Sequence, residues 1–139
     1  MMRIAQPILL AGLVALQVAL VSGCVSPVAP TVTWPPMTSL KANPTIFLQA
    51  TVQRPRIIDS LRNSRLRPTT SYAEADYVLN VVVGKRRVKM ECGGTHNVIY
   101  TLEGNGRQLM GIKGRGLTGS CIPNIFDDMS EMLASYFGN

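Results

Sequence analysis

The sequence is poor in the residues that build metal centres and catalytic sites. Its 139 residues include one His, one Trp and three Cys, and only 16% of the residues are charged. A single histidine excludes a site with several histidine ligands, and the low charged fraction excludes a coiled coil and a disordered polyampholyte. The length allows one domain and excludes a multidomain enzyme. No catalytic signature stands out, so we expect a protein that is not an enzyme and binds no cofactor, with a hydrolase as the alternative.

The most prominent feature of the sequence is an apolar run near the amino terminus. Arg3 makes the start of the chain positive, and residues 8–21 are almost wholly apolar. A run of about 14 residues is short for a membrane-spanning helix, which needs roughly 20, and fits the apolar part of a secretory signal better. The alternatives are an ordinary signal peptide or an uncleaved anchor. In either alternative, the Cys24 that follows the apolar run has no role.

The apolar run ends on Val21-Ser22-Gly23-Cys24, which resembles the lipobox of bacterial lipoproteins. The resemblance implies that residues 1–23 are removed as a signal peptide, that Cys24 carries a diacylglycerol thioether, and that an acyl group such as palmitate blocks the new amino terminus. Two or three acyl chains hold a protein stably on a membrane. Val25 stands where an Asp favours inner-membrane retention, which implies the periplasmic face of the outer membrane.

Residues 24–44 are rich in proline and small residues. The prolines are Pro27, Pro30, Pro35, Pro36 and Pro44. Because proline fixes φ and removes a backbone donor, we predict an extended, semi-rigid tether. In polyproline geometry it would hold a domain up to about 60 Å from the lipid. The globular periplasmic domain is then predicted to comprise residues 45–139.

The hydrophobic pattern of this domain predicts an α+β fold. In chain order we predict a strand over 45–51, a helix from Pro55 to Pro68, a strand over 77–83 that continues through Val88, Met90 and Cys92, strands over 97–103 and 107–115, and a helix from Pro123. Gly104-Asn105-Gly106 predicts a hairpin, because these residues accept positive φ. The order β-α-β-β-β-α predicts a two-layer sandwich, with two helices on one face of a largely antiparallel sheet.

Cys92 and Cys121 remain once Cys24 is assigned to the lipid. Disulfides persist outside the cytoplasm, so we predict a Cys92–Cys121 bridge. It closes a loop of about 30 residues and would contribute roughly 3–4 kcal/mol in the chain-entropy model. Free thiols and a metal or nucleophile site that combines the two cysteines with His96 are the alternatives. The spacing disfavours a metal, because zinc sites usually show tighter pairs and a fourth ligand.

Residues 114–119, Gly-Arg-Gly-Leu-Thr-Gly, match the G-x-G-x-x-G pattern of dinucleotide-binding folds. That pattern needs a strand that leads straight into a helix, followed by an acidic residue about 20 positions later. Here the last helix begins only near Pro123, and no parallel strand can follow it. We therefore interpret these glycines as positions where an edge strand twists or bulges.

Basic residues form two runs in a chain with a formal net charge of +6. The candidate anion-binding residues are Arg54, Arg56, Arg62, Arg65, Arg67, Lys85, Arg86, Arg87 and Lys89. One interpretation is a solvated face whose charges protect a sheet edge from aggregation. The other is a binding surface for anionic lipid, lipopolysaccharide or acidic glycan. Neither run contains an aromatic residue on which a base could stack, which disfavours nucleic acid.

The signal, tether and small domain together resemble small outer-membrane lipoproteins of Gram-negative bacteria. Within residues 46–83, the segments Ile58-Asp59-Ser60-Leu61 and Ala73-Glu74-Ala75-Asp76-Tyr77-Val78-Leu79 are similar in pattern to envelope lipoproteins of the TraT and CsgG kinds and to lipoprotein activators of peptidoglycan synthases. The resemblance implies a lipid-anchored, non-catalytic accessory, scaffold or activator of a cell-envelope partner. The alternative function is a ligand-binding module for anionic lipid, lipopolysaccharide or glycan.

Overall fold

The computed structural model describes residues 27–86, 88–90, 93–119 and 124–138. Within these ranges the elements are β1 (Val28–Trp34), β2 (Thr45–Ala50), α1 (Arg54–Asn63), β3 (Arg67–Thr69), β4 (Tyr77–Val83), β5 (Val88–Met90), β6 (Gly93–Gly104), β7 (Arg107–Leu117) and α2 (Ile125–Ala134). The strands form one mixed sheet in the order β1-β7-β6-β4-β2-β3, and β5 also pairs with β6. β2 is parallel to β3 and β4, and the other pairings are antiparallel. The predicted α+β fold is confirmed.

The core lies between the two helices and one face of the sheet. Strand pairing aligns the inward side chains, with Val81 opposite Tyr100 and Tyr100 opposite Ile112. The two helices pack against each other and against the same face of the sheet. Their fully buried side chains are Ile57, Leu61, Phe126, Met129 and Leu133. Burial of each such side chain contributes about 1.5–3 kcal/mol, which makes this layer the main source of stability.

The glycines of the G-x-G-x-x-G match make room for α2. A Cβ at Gly114 would lie 3.0 Å from Ile125 Cδ1 and 3.1 Å from Met129 Sδ, so a side chain there would require these α2 side chains to move by a few tenths of an ångström. α2 does not follow β7 directly. It begins at an N-cap, where Asn124 Oδ1 accepts a hydrogen bond from the backbone N–H of Phe126 at 2.9 Å. β7 is an inner strand between β1 and β6, so the prediction of an edge strand here is wrong.

Part of the predicted tether belongs to the sheet. β1 pairs antiparallel with β7, with Val28 opposite Arg115. Leu40 is buried in the core and forms a bridge to Phe137. Pro30 is compatible with this arrangement because β1 is an edge strand, where a missing N–H costs no ladder hydrogen bond. The folded unit therefore includes residues from Val28 onward, and the expected boundary at residue 45 is corrected.

Several sequence predictions fall on residues that the structure does not describe. These are the signal peptide, the lipid-bearing Cys24, and the bridge between Cys92 and Cys121. Among the helices that are described, none is both long and apolar enough to cross a membrane.

Candidate functional site

One end of the sheet brings the start of the folded chain close to several basic residues. Val28, at the beginning of β1, lies opposite Arg115 near the end of β7. The Arg115 side chain donates from Nε to Asn97 Oδ1 on β6 at 2.8 Å. On the other side of β6, the backbone N–H of Gly84 donates to the carbonyl oxygen of Asn97 at 2.8 Å. Asn97 thus connects β7 to the segment that follows β4.

Two exposed cations, Lys85 and Arg86, directly follow Gly84. His96 fixes the position of this segment, because its Nδ1 donates to the Gly84 carbonyl oxygen at 2.7 Å. The half-buried His96 lies within β6, where it supports the backbone. Lys85 and Arg86 therefore lie on an anchored segment between β4 and β5, two strands that both pair with β6.

Arg54 completes this end of the molecule. The carboxyl ends of β2 and β4 lie side by side, with Ala50 opposite Val81, and Arg54 begins α1 just after β2. Its guanidinium donates to the carbonyl oxygen of Leu48 at 3.0 Å, while the residue stays exposed. We call Arg54, Lys85, Arg86 and Arg115 the basic edge. Arg115 lies outside both basic runs of the sequence, so it is not among the predicted anion-binding residues.

The remaining predicted cations do not form one surface with the basic edge. α1 carries the chain back to the opposite end of β2, because Arg67 at the start of β3 pairs with Thr45. With a rise of about 1.5 Å per residue, Arg62 lies about 12 Å along the helix axis from Arg54. Arg65 and Arg67 continue in this direction, and Arg67 donates to the carbonyl oxygen of Asn43. The fold thus separates the first predicted run between two ends of the molecule.

Three other predicted cations, Arg56, Arg87 and Lys89, are not assigned to either end of the molecule. Arg56, in the first turn of α1, is half-buried. Arg87 lies outside the described residues, as does the side chain of Lys89 on β5.

The second face of the sheet carries no helix in the described part of the chain. Val82 and Ile99 lie directly opposite each other at its centre and are 60% and 43% exposed. Phe47 lies on the same face, and the ring of Tyr72 packs against it edge-on with centroids 5.6 Å apart. Lys113 lies opposite Ile99 on the neighbouring strand. We call Phe47, Val82, Ile99 and Lys113 the open face.

A cavity of about 420 Å³ adjoins the basic edge, between the start of β1, the end of β7 and the first turn of α2. Its lining is mainly apolar, including Val28, Leu117 and Ile125, with Arg115 and Asp128 as charged members. Loss of hydration raises the pKa of Asp128, and the negative charges of Asp127 and Glu131 raise it further. Asp128 is the acidic residue nearest to Arg115 on this cavity wall.

An ion pair stabilises the end of the molecule opposite the basic edge. Asp76 accepts hydrogen bonds from Lys41 Nζ at 2.8 Å and from the backbone N–H of Thr45 at 2.9 Å. The Lys41 hydrogen bond is the largest cause that lowers the pKa of Asp76 to about 2, followed by the backbone bond from Thr45. No other ion pair occurs within the described ranges. Asp76 therefore joins the segment before β2 to the start of β4.

Across the residues that the structure describes, no group of three or more His, Cys, Asp and Glu side chains lies close enough together to hold a metal ion. Both cysteines of the alternative metal or nucleophile site, Cys92 and Cys121, lie outside those residues.

No protein-family model matches the sequence, and no curated protein matches it. Two solved structures similar to this chain are dodecamers of PelC from Paraburkholderia phytofirmans. One, a single-substitution variant, has 17% sequence identity and a TM-score of 0.49, and the other has 15% identity and a TM-score of 0.48. Each similarity covers 79% of this chain and 99% of the PelC chain.

Proposed function

We propose that the chain is a lipid-anchored, non-catalytic accessory protein at the periplasmic face of the outer membrane, which binds an envelope protein through its open face. The lipobox around Cys24 supports the anchor. Only residues 25–27 separate Cys24 from β1, so a fully extended link reaches about 14 Å. The domain then sits next to the lipid surface, much closer than the long tether predicted from the prolines.

The observation that carries the proposal is the exposed apolar centre of the open face. Val82 and Ile99 form a cross-strand pair on the two central strands, and both side chains are exposed on the face that carries no helix in the described part of the chain. Grouped exposed apolar residues with polar neighbours mark surfaces that bind other proteins. Lys113 beside Ile99 and Arg115 two residues further along β7 make the rim positive. The partner surface that fits is apolar at its centre and acidic at its rim.

Site-specific photocrosslinking in intact cells tests this proposal. The photoreactive residue p-benzoylphenylalanine is placed at Ile99, with a control at Asp59, an exposed position on α1. We expect one discrete adduct with an envelope protein from position 99, its loss on adding Val82→Glu, and none from position 59. Identical adducts at both positions, or an adduct of twice the chain mass, would contradict a distinct protein partner on this face.

Intact-mass measurement of the purified protein tests the anchor separately. We expect cleavage before Cys24 and the added mass of the lipid. The same spectrum, with and without reductant, tests the predicted Cys92–Cys121 bridge. An unmodified Cys24 would contradict the anchor, whatever the crosslinking shows.

The alternative, binding of anionic lipid, lipopolysaccharide or glycan, also has a specific observation in its favour. The basic edge holds the exposed cations Arg54, Lys85 and Arg86 and the half-buried Arg115, and the adjoining cavity has Asp128 as its acidic lining residue. Arg115 borders both surfaces, whereas Arg54, Lys85 and Arg86 belong to the basic edge alone.

A further inference from the structure

We propose that the basic edge rests on the lipid surface and binds the phosphate groups of anionic phospholipids, so that the domain stands on the membrane in one orientation. The proposal rests on the proposed function in one respect: the lipid on Cys24 brings the domain to the membrane. It adds which side of the domain faces the lipid and which side chains hold it there.

The position of the chain start is the first argument. The first described residue, Pro27, lines the same cavity as Arg115, so the chain leaves the fold at the basic edge. A link of residues 25–27 cannot carry the lipid to the opposite end of the sheet. On β6, Asn97 at the basic edge and Gly104 at the opposite end are seven residues apart, which is about 23 Å at 3.3 Å per residue, whereas the link reaches about 14 Å. An acylated Cys24 therefore lies within reach of this end of the sheet and out of reach of the other.

The arrangement of the charges is the second argument. Arg115 lies on β7, Lys85 and Arg86 follow β4, and Arg54 begins α1 just after β2. These strands occur in the order β7-β6-β4-β2 across the sheet. Strands lie about 4.8 Å apart, so these cations span about 14 Å along a single edge. A row of this kind can contact several headgroups of a flat anionic surface at the same time. An isolated soluble anion would use only part of it.

The distribution of acidic residues agrees with this orientation. Asp127 accepts a hydrogen bond from Ser60 Oγ at 2.7 Å, and together with Glu131 it lies near Arg65, toward the carboxyl end of α1. Asp128 remains near Arg115, where its carboxyl is the one acidic group on the cavity wall. The exposed end formed by Lys85 and Arg86 thus keeps its positive charge.

Vesicle binding without the covalent lipid tests the proposal. The mature chain from residue 24, carrying Cys24→Ser, is mixed with vesicles of phosphatidylcholine alone or with 30% phosphatidylglycerol, and the bound fraction is measured by sedimentation. Each basic side chain at an anionic surface contributes roughly fivefold in partitioning, so we expect the double variant Lys85→Glu, Arg86→Glu to bind at least about 25-fold more weakly to the anionic vesicles.

The matched control is the double variant Arg62→Glu, Arg107→Glu. It changes the net charge by the same amount, and both residues are exposed and lie toward the opposite end of the sheet. We expect less than a twofold change for the control, little binding to phosphatidylcholine alone, and loss of binding as salt rises from about 0.05 to 0.5 M, because the Debye length falls. Thermal melts of both variants verify that each is folded.

Equal weakening by the two double variants would overturn the proposal, because it would show an effect of net charge alone. Binding that is the same with and without phosphatidylglycerol would also overturn it. These outcomes are independent of the crosslinking and mass measurements. A lipidated Cys24 with no preference for anionic vesicles would reject the orientation and leave the accessory function in place.

Discussion

Asp76→Asn should destabilise the protein at neutral pH and have little effect near pH 2. The carboxylate accepts hydrogen bonds from Lys41 Nζ at 2.8 Å and from the N–H and hydroxyl of Thr45 at 2.9 and 3.1 Å, and its pKa is about 2, below the ordinary 3.8. This difference corresponds to about 2.4 kcal/mol at pH 7 if the unfolded chain titrates normally. Because the Asp76 and Lys41 side chains are 25% and 61% exposed, solvent screens part of the interaction, and we expect about 1–1.5 kcal/mol.

The sign of the pH dependence follows from the lowered pKa of Asp76. The folded state releases the proton more readily than the unfolded state, so the ionised carboxylate stabilises the fold above the unfolded pKa of 3.8. This contribution is fully present above about pH 5, decreases below about pH 4 and is lost as the pH falls through about 2. Asparagine keeps the side-chain shape without the charge, so the stability of the variant lacks the decrease that Asp76 causes below about pH 4.

Urea unfolding at pH 7 and at pH 2.5 measures the effect. At pH 7 we expect the midpoint for Asp76→Asn to be lower by about 0.5–1 M, with an unchanged slope. Lys41→Met should cost only about 0.5 kcal/mol, because it removes an exposed ion pair and leaves both Thr45 hydrogen bonds in place. An Asp76→Asn effect of the same size at both pH values would refute the assignment of the stabilisation to the ionised carboxylate.

Two further substitutions test the packing of the sheet. A Cβ at Gly111 would lie 2.8 Å from the ring of Trp34, the one tryptophan in the sequence. Gly111→Ala should therefore displace β1, lower the free energy of unfolding in urea by about 1–3 kcal/mol, and shift the tryptophan emission. As the control, Gly84→Ala, whose nearest Cβ contact is 3.4 Å, should change neither the stability nor the emission. Tyr100→Phe should cost about 1 kcal/mol, because it removes a buried hydroxyl 3.3 Å from Ser130 Oγ; unchanged stability would show that this pair contributes nothing.

The elements predicted correctly from the sequence are those whose signals are local. The near-continuous apolar run in β4 and the helical spacing in α2 depend on neighbouring residues alone. The hairpin between β6 and β7 is confirmed with Asn105 at φ 52° and Gly106 at φ 75°, positive values that asparagine and glycine adopt more readily than other residues.

The missed strands depend on partners that are distant in sequence. The sequence of β1 contains Pro30 and has the composition of a linker. It forms a strand because it pairs with β7, which begins more than 70 residues later. β3 has only three residues, including Pro68, and forms because β2 offers a free parallel edge. In both strands a long-range pairing overrides a local composition that favours an extended, unpaired chain.

The candidate surfaces were only partly predictable for the same reason. Proximity in sequence places Arg54 in one group with Arg62 and Arg65. In the fold, α1 separates Arg54 from the other two, which lie toward the opposite end of the sheet. Arg115 could not be grouped in this way, because it reaches the Lys85 segment only through Asn97 and the pairing of β6 with β7. A charge pattern along the chain therefore identifies candidate basic residues, but the strand order determines which of them lie on the same surface.

The two proposed surfaces together define how a partner could approach. If the basic edge lies on the lipid, the strands point away from the membrane, and the open face stands roughly perpendicular to it. Val82 and Ile99 are each two residues from the Gly84–Asn97 pair, which places them about 7 Å further along the strands. A protein bound there would contact the domain from the side and close to the lipid, which favours a partner that is itself held at the same membrane.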